Sequence, residues 1–180
     1  MEKISEERVL RGERFDVDRM TLRGDDGKLY HREVLRHPGA VVIIPVLNDG
    51  RVVLIDNHRP TVDKTLIELP AGTREPDEAP ERTAARELIE ETGYHAESLT
   101  LIREFYSAPG ISDERMWLYV AKGLTEVGAA REAVEDIVNR VVDRAEIESM
   151  LAQGRIEDSK TLVGLMSWLA MDQPRRGDIG

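Results

Sequence analysis

Hydrophobic residues are grouped into short runs along the chain, and most of these runs have the composition of β-strands. Residues 40–47 are apolar on both faces and largely β-branched, which is typical of a buried central strand. An Asn-Asp-Gly turn separates this run from a second strong strand at residues 51–56. Shorter runs predict further strands at residues 65–69, 99–106, 116–121 and 139–142.

The N-terminal part of the chain has a weaker pattern. Residues 14–22 and 29–36 predict two strands, and the Gly-Asp-Asp-Gly segment at residues 24–27 has the composition of a hairpin turn. Because the two strands alternate only weakly, this β-hairpin needs another surface to pack on. We therefore expect residues 1–38 to form a separate β segment and residues 39–180 to form the main domain.

Helical patterns lie in the middle and at the end of the chain. Residues 80–92 predict a helix, with Pro80 suited to its first turn and Gly93 to its C-terminal cap. Two more helices are predicted at residues 144–153 and 159–171, whereas the acidic residues 124–136 predict a loop. This order of elements indicates an α+β fold in which helices cover a mixed sheet.

The first helix has an apolar side and an acidic side when it is drawn at about 100° per residue. Its apolar side, which should face the core, contains Ala84, Ala85, Leu88 and Ile89. Glu87, Glu90 and Glu91 share the other side, where each like-charged pair costs about 0.2–0.5 kcal/mol in an isolated helix. Two interpretations remain open on this pattern: a solvated face, or carboxylate ligands for Mg²⁺ or Mn²⁺.

The length, charge and composition of the chain argue against several classes of partner and site. A chain of 180 residues suits one domain with a short extension. Its net charge of -10 and its lack of long basic runs argue against nucleic acid as a partner. Without cysteine it has no disulfide, thiolate zinc site or cysteine nucleophile. No signal core and no apolar run of ~18 residues is present, so we expect a cytoplasmic protein without a membrane partner.

Residues 72–94 read GTREPDEAPERTAARELIEETGY and resemble the 23-residue Nudix box. The positions that match its pattern are Gly72, Glu78, Arg86, Glu87, Leu88, Glu90, Glu91 and Gly93. Tyr94 stands where an aliphatic residue is usual. The resemblance implies a Nudix-type α/β/α sandwich with a mixed central sheet, and an enzyme that hydrolyses a diphosphate bond with a divalent metal ion.

The resemblance also implies a role for each matching residue. Glu87 and Glu91 would bind the metal directly, together with the backbone carbonyl of Ala71. Glu90 would bind metal directly or through water, and Arg86 would orient the carboxylates. The implied cofactor is Mg²⁺ or Mn²⁺.

A second motif indicates a branch of this superfamily. Residues 107–114, Ser-Ala-Pro-Gly-Ile-Ser-Asp-Glu, resemble a motif of the ADP-ribose pyrophosphatases and imply that Pro109, Gly110 and Glu114 bind substrate. Residues 57–60, Asn-His-Arg-Pro, resemble another segment of this branch, in which Arg59 would contact the phosphate end of the substrate.

The residue that activates water is predicted to lie in the acidic loop before the last strand. Similarity to a Glu-Asp-Ile pattern of this branch makes Glu135 the first candidate. The resemblance implies that Glu135 is both a catalytic residue and a metal ligand. Glu132 is the second candidate. The alternative interpretation is that this acidic loop is simply solvated.

The resemblance implies hydrolysis of ADP-ribose to AMP and ribose 5-phosphate. Another nucleoside diphosphate sugar such as GDP-mannose is the alternative substrate, and a sensor that binds ADP-ribose without cleaving it is the alternative of another class. The N-terminal segment also resembles the N-terminal segment of proteins of this branch. In those proteins the segment crosses to the partner subunit. We therefore predict a homodimer in which residues 1–38 are swapped.

Overall fold

The computed structural model describes residues 1–129 and 136–171, which form ten strands and three α-helices. The strands are β1 (Glu2–Arg11), β2 (Asp16–Arg23), β3 (Leu29–Arg36), β4 (Ala40–Pro45), β5 (Val52–Arg59), β6 (Lys64–Glu68), β7 (Ala71–Thr73), β8 (Tyr94–Tyr106), β9 (Arg115–Glu126) and β10 (Ile137–Val142). The helices are α1 (Pro80–Glu87), α2 (Arg144–Ala152) and α3 (Ser159–Met171).

A mixed four-stranded sheet, in the order β7-β4-β9-β8, carries helices on both faces. Its central strand β4 is buried along its whole length and runs parallel to β9. Val41 and Ile43 face Leu88 beneath α1, whereas Val42 and Ile44 pack in a second core with residues of α2 and α3. This arrangement confirms the expected α+β fold and its sandwich of helices around a mixed sheet.

The remaining strands of the main domain form a separate antiparallel sheet in the order β10-β5-β6. Val52 and Leu54 of β5 join the core that α2 and α3 cover. Strand β5 ends at Arg59, which lies opposite Lys64, and β6 ends at Glu68, which lies opposite Ile55. The Arg59 side chain reaches along the sheet to the Glu68 carboxylate, at 2.6 Å. This pairing brings two charged side chains to the edge of the site described below.

The N-terminal segment is a three-stranded sheet in the order β1-β2-β3. Its hairpin of β2 and β3 agrees with the prediction, with Gly27 in the turn at a φ of 77°. Strand β1 was not predicted, because all ten of its residues are exposed and they show no alternation of apolar and polar positions. Arg8 and Arg36 both bind the carboxylate of Asp18, so charge pairs hold the three strands together.

The structure adds one strand to the main domain and moves two strand boundaries. Strand β7 was not predicted, β8 begins at Tyr94 and not at residue 99, and β9 continues to Glu126. Residues 124–126 are therefore strand, although their polar composition predicted a loop. Their backbone pairs with the early part of β8, where His95 lies opposite Thr125, and such pairing depends little on side-chain polarity. No described helix is long and apolar enough to cross a membrane.

Candidate active site

Helix α1 is held over the mixed sheet by one apolar stripe. Ala84 and Leu88 are fully buried, and Pro80 occupies the first turn, as expected. Ala85 is exposed, contrary to the prediction, and Thr83 is buried in its place. The buried arc turns toward Thr83 because its hydroxyl donates a hydrogen bond of 2.8 Å to the Glu78 carboxylate in the preceding loop.

The end of this helix is wider than an α-helix. Residues Leu88–Thr92 form a π-helical turn, and Gly93 closes it with a φ of 80°. The extra residue in this turn carries Glu91 inward, and Glu91 is only 4% exposed. Its Oε2 accepts a hydrogen bond of 2.9 Å from the Ala71 amide at the start of β7. Glu91 is therefore fixed between the helix and the sheet.

Arg86 gathers the carboxylates of the motif. Its guanidinium lies 2.7 Å from Glu87, 2.8 Å from Glu90 and 3.1 Å from Glu78. The hydrogen bond from Arg86 lowers the pKa of the Glu78 carboxyl, although burial opposes this effect. Arg86 thus contacts all three of these carboxylates, and its expected role in orienting them stays a prediction.

Gly72 lies directly against the Glu87 carboxylate. A Cβ built on Gly72 would overlap the carboxyl carbon and both oxygens of Glu87. The chain thus needs glycine here for space and not for an unusual backbone angle. The Glu87 carboxylate therefore packs directly against the backbone of β7 at Gly72.

The chemistry of these donors fits a hard divalent cation, although no ready-made cage exists. Within residues 1–129 and 136–171, no three acidic or histidine side chains are already arranged to hold a metal ion. Arg86 draws Glu87 and Glu90 to itself, and Glu91 turns to Ala71. Three carboxylates, those of Glu78, Glu87 and Glu90, nevertheless share one arginine, and Glu91 lines the same outer cavity. Oxygen ligands with excess negative charge suit Mg²⁺ or Mn²⁺.

Two cavities adjoin the carboxylates. The outer cavity, of about 540 Å³, is lined by the three glutamates of the helix end and by the loop between β1 and β2 at residues 12–15. The inner cavity, of about 290 Å³, is lined among others by Phe105, Glu114 and Lys160. Arg59 and the β7 residues Ala71, Gly72 and Thr73 line both cavities, so they mark the junction between them.

Of the four predicted substrate-binding residues, two line a cavity and two do not. Arg59 lies at the junction of the cavities, and Glu114 lines the inner cavity with its Oε1 3.4 Å from His37 Nδ1. Pro109 and Gly110 are exposed at the tip of their loop and are not among the residues that line either cavity. Their binding role stays a prediction. Glu132 and Glu135 lie outside the described residues.

Sequence reasoning missed Glu68, Asp158 and Lys160. Glu68 is buried and accepts hydrogen bonds from Arg59 and Lys160, and Lys160 also binds Asp158. Asp158 could have been found, since an aspartate at the start of a predicted helix is a typical N-terminal cap. Its carboxylate accepts from the Thr161 amide at 2.9 Å. The closeness of Glu68 and Lys160, 92 positions apart, has no signal in the sequence.

Comparison with known proteins identifies this arrangement. A family model described as the NUDIX domain matches residues 36–163. The chain belongs to the NUDIX family. Its metal-ligand candidates and Arg86 all lie inside the matched region, and the family and fold expected from the sequence are confirmed. The chain is therefore a Nudix hydrolase, a class of enzyme that generally uses divalent metal ions.

Individual relatives support the expected branch. An ADP-ribose pyrophosphatase of Bacillus subtilis (strain 168) is 38% identical over 133 residues, which cover 74% of this chain and 72% of that protein. A methanol dehydrogenase activator of Bacillus methanolicus is 36% identical over 175 residues, 92% of this chain and 94% of the relative. A crystal structure of an ADP compounds hydrolase shares the fold, with a TM-score of 0.82 at 22% identity over 94% of this chain and 92% of that one.

Proposed function

We propose that the chain hydrolyses the diphosphate bond of ADP-ribose and releases AMP and ribose 5-phosphate, with Mg²⁺ or Mn²⁺ as cofactor. The observation that carries this proposal is the junction between the cavities, where Arg59 lies beside the carboxylate cluster. A substrate with two phosphates in its middle would place them at this junction and one end in each cavity. The similarity to an ADP-ribose pyrophosphatase supports the same substrate.

Glu87, Glu90 and Glu91 are the residues that would hold the metal, with the Ala71 backbone beside them. A bound divalent ion supplies neutralisation of the diphosphate and lowers the pKa of the attacking water. Arg86 keeps Glu87 and Glu90 together, because it binds both carboxylates with one nitrogen. Gly72 leaves the room that these carboxylates need.

The proton of the attacking water needs an acceptor outside this cluster, because a carboxylate that binds a cation is a poor base. We propose Glu135 for this role, with Glu132 as the second candidate. Pro109, Gly110 and Glu114 are proposed to bind the substrate, and Glu114 already lines the inner cavity. Arg59 is proposed to bind its phosphate end.

The test of this function is a substrate panel. With Mg²⁺ or Mn²⁺ present, ADP-ribose should give AMP and ribose 5-phosphate in equal amounts, and it should have the highest kcat/KM of the panel. GDP-mannose is the comparison, because its diphosphate is identical and only the two ends differ. Release of AMP is followed by chromatography. An absence of turnover at millimolar ADP-ribose would refute the proposal, and a higher kcat/KM for GDP-mannose would reassign the substrate.

A regulatory role is the second candidate, because a relative that matches nearly the whole chain is named as an activator of methanol dehydrogenase. In this case the chain would bind ADP-ribose as a signal and act on a partner protein. Tight binding of ADP-ribose in calorimetry without formation of AMP would favour this role. The cluster of Glu78, Glu87 and Glu90 around Arg86, with Glu91 in the same cavity, favours hydrolysis.

We also propose that the chain forms a homodimer through residues 1–38. The N-terminal sheet buries little of its own apolar surface, and a small sheet needs a hydrophobic face or a packing partner to be stable. Its exposed apolar side chains are Ile4, Val9, Leu10, Phe15, Leu29 and Tyr30. The loop at residues 12–15 lines the outer cavity of its own chain, so a swap would exchange this loop between two sites.

Light scattering at micromolar concentration should give twice the 20.3 kDa of the chain. Leu10→Glu, which places a charge on the exposed face of β1, should shift the mass toward one chain. Met166→Glu is the matched control, because Met166 is equally exposed on α3 but lies outside the N-terminal segment. A mass of one chain for the unmodified protein would contradict the dimer.

A further inference from the structure

A buried carboxylate joins two cations at the wall of the inner cavity. Only 1% of Glu68 is exposed, yet its two oxygens accept three hydrogen bonds. Arg59 donates two of them in a fork, at 2.8 and 2.6 Å, and the Lys160 ammonium donates the third at 2.6 Å. Both cations line the inner cavity.

Glu68 restricts where these two cations can lie. If either side chain swings away, a buried negative charge loses a partner, and breaking a buried ion pair in this way is strongly destabilising. Lys160 is held a second time by Asp158 at 2.9 Å, and Asp158 is fixed as the cap of α3. The ammonium has three N–H donors, and these two partners use two of them. Lys160 therefore presents a positioned cation with one further donor.

The inner cavity has the composition expected of a site for a phosphorylated sugar. Ser107, Glu114, Asp158 and Ser159 supply hydroxyl and carboxylate groups along its wall, and Phe105 and Met116 supply apolar surface. Arg59 and Lys160 are its positively charged residues. The outer cavity, in contrast, contains the carboxylate cluster and the N-terminal loop. The two ends of the substrate therefore meet different chemistry.

We propose that Lys160 binds the phosphate of the non-nucleotide half of the substrate, and that Glu68 is the positioning residue that holds Lys160 and Arg59 toward it. This inference rests on the proposed function, and it adds the orientation of the substrate: the sugar end extends from the junction into the inner cavity, and the nucleoside end extends into the outer one. The substrate class is then a nucleoside diphosphate whose second phosphate carries a compact hydroxylated group.

Calorimetry with each product alone measures binding to the inner and the outer cavity separately. Lys160→Met should weaken binding of ribose 5-phosphate about tenfold, the loss that corresponds to one hydrogen bond to a charged group. Binding of AMP should change less than twofold. Lys160→Arg keeps the cation and should recover most of the affinity for ribose 5-phosphate. Lys64→Met is the matched control, because Lys64 of β6 forms an exposed ion pair with Glu157, in the loop just before α3.

Equal weakening of both products by Lys160→Met would show a structural role and overturn the proposal. Unchanged ribose 5-phosphate binding in this variant would overturn it as well, as would a wild-type protein that does not bind ribose 5-phosphate. Thermal melting of all variants identifies any that fail to fold, and Lys160→Arg then carries the comparison. Failure of the proposed function itself shows separately, as absence of ADP-ribose turnover in the wild-type enzyme.

Discussion

Glu91→Gln is expected to lower the turnover of ADP-ribose by at least ~10²-fold, a loss of about 2.7 kcal/mol in the transition state. The substitution keeps the shape of the side chain, and the Gln oxygen can still accept the hydrogen bond of the Ala71 amide. The fold should therefore persist while the charge is lost. Mn²⁺ binding, measured by calorimetry, should weaken in parallel, because a carboxylate is a much stronger ligand than an amide for a hard cation.

Glu81→Gln is the control for this prediction. Glu81 is an exposed carboxylate in the first turn of the same helix, so its removal changes the net charge equally without touching the cluster. Turnover and Mn²⁺ affinity should stay within about twofold of the wild-type values. A Glu91→Gln enzyme with nearly normal turnover would show that this carboxylate does not hold the metal.

The local chemistry of the site was predictable because it lies in one contiguous segment. Glu87, Glu90 and Glu91 all lie within five positions of Arg86, so the spacing alone brings these carboxylates together on one helix. The geometry of Glu91 was not predictable in the same way. A wheel at about 100° per residue groups it with Glu87 and Glu90 and does not separate a solvated face from a metal site, whereas the π-helical turn buries it against Ala71.

The parts of the site that depend on tertiary packing could not be predicted from the sequence, for a different reason. In the sequence, Glu68 is only the last residue of a short strand, and the folded chain makes it a counter-ion by bringing the side chains of Arg59 and Lys160 to it. Strand β1 escaped because its neighbours hold it by charge pairs, as Arg8 does with Asp18, and it shows no apolar face. Hydrophobic periodicity reports burial, so it does not detect elements that are stabilised in another way.

Gly72→Ala is expected to lower turnover by about 10²-fold with little change in the melting temperature. The new methyl group would overlap the Glu87 carboxylate, which is the mobile end of a side chain and can move aside without disturbing the backbone. The same movement takes Glu87 away from Arg86 and from the position that the other carboxylates require. The expected result is a folded enzyme with a misplaced ligand, and circular dichroism with turnover assays measures both properties.

Gly50→Ala gives the opposite pattern and is the control. Gly50 lies in the turn between β4 and β5 at a φ of 86°, and a Cβ there would meet no atom within 4 Å. Alanine in this left-handed conformation costs about 1 kcal/mol of stability, so the melting temperature should fall while turnover stays normal. If Gly72→Ala also lost stability and kept its turnover, the close approach of β7 to Glu87 would serve the fold and not the chemistry.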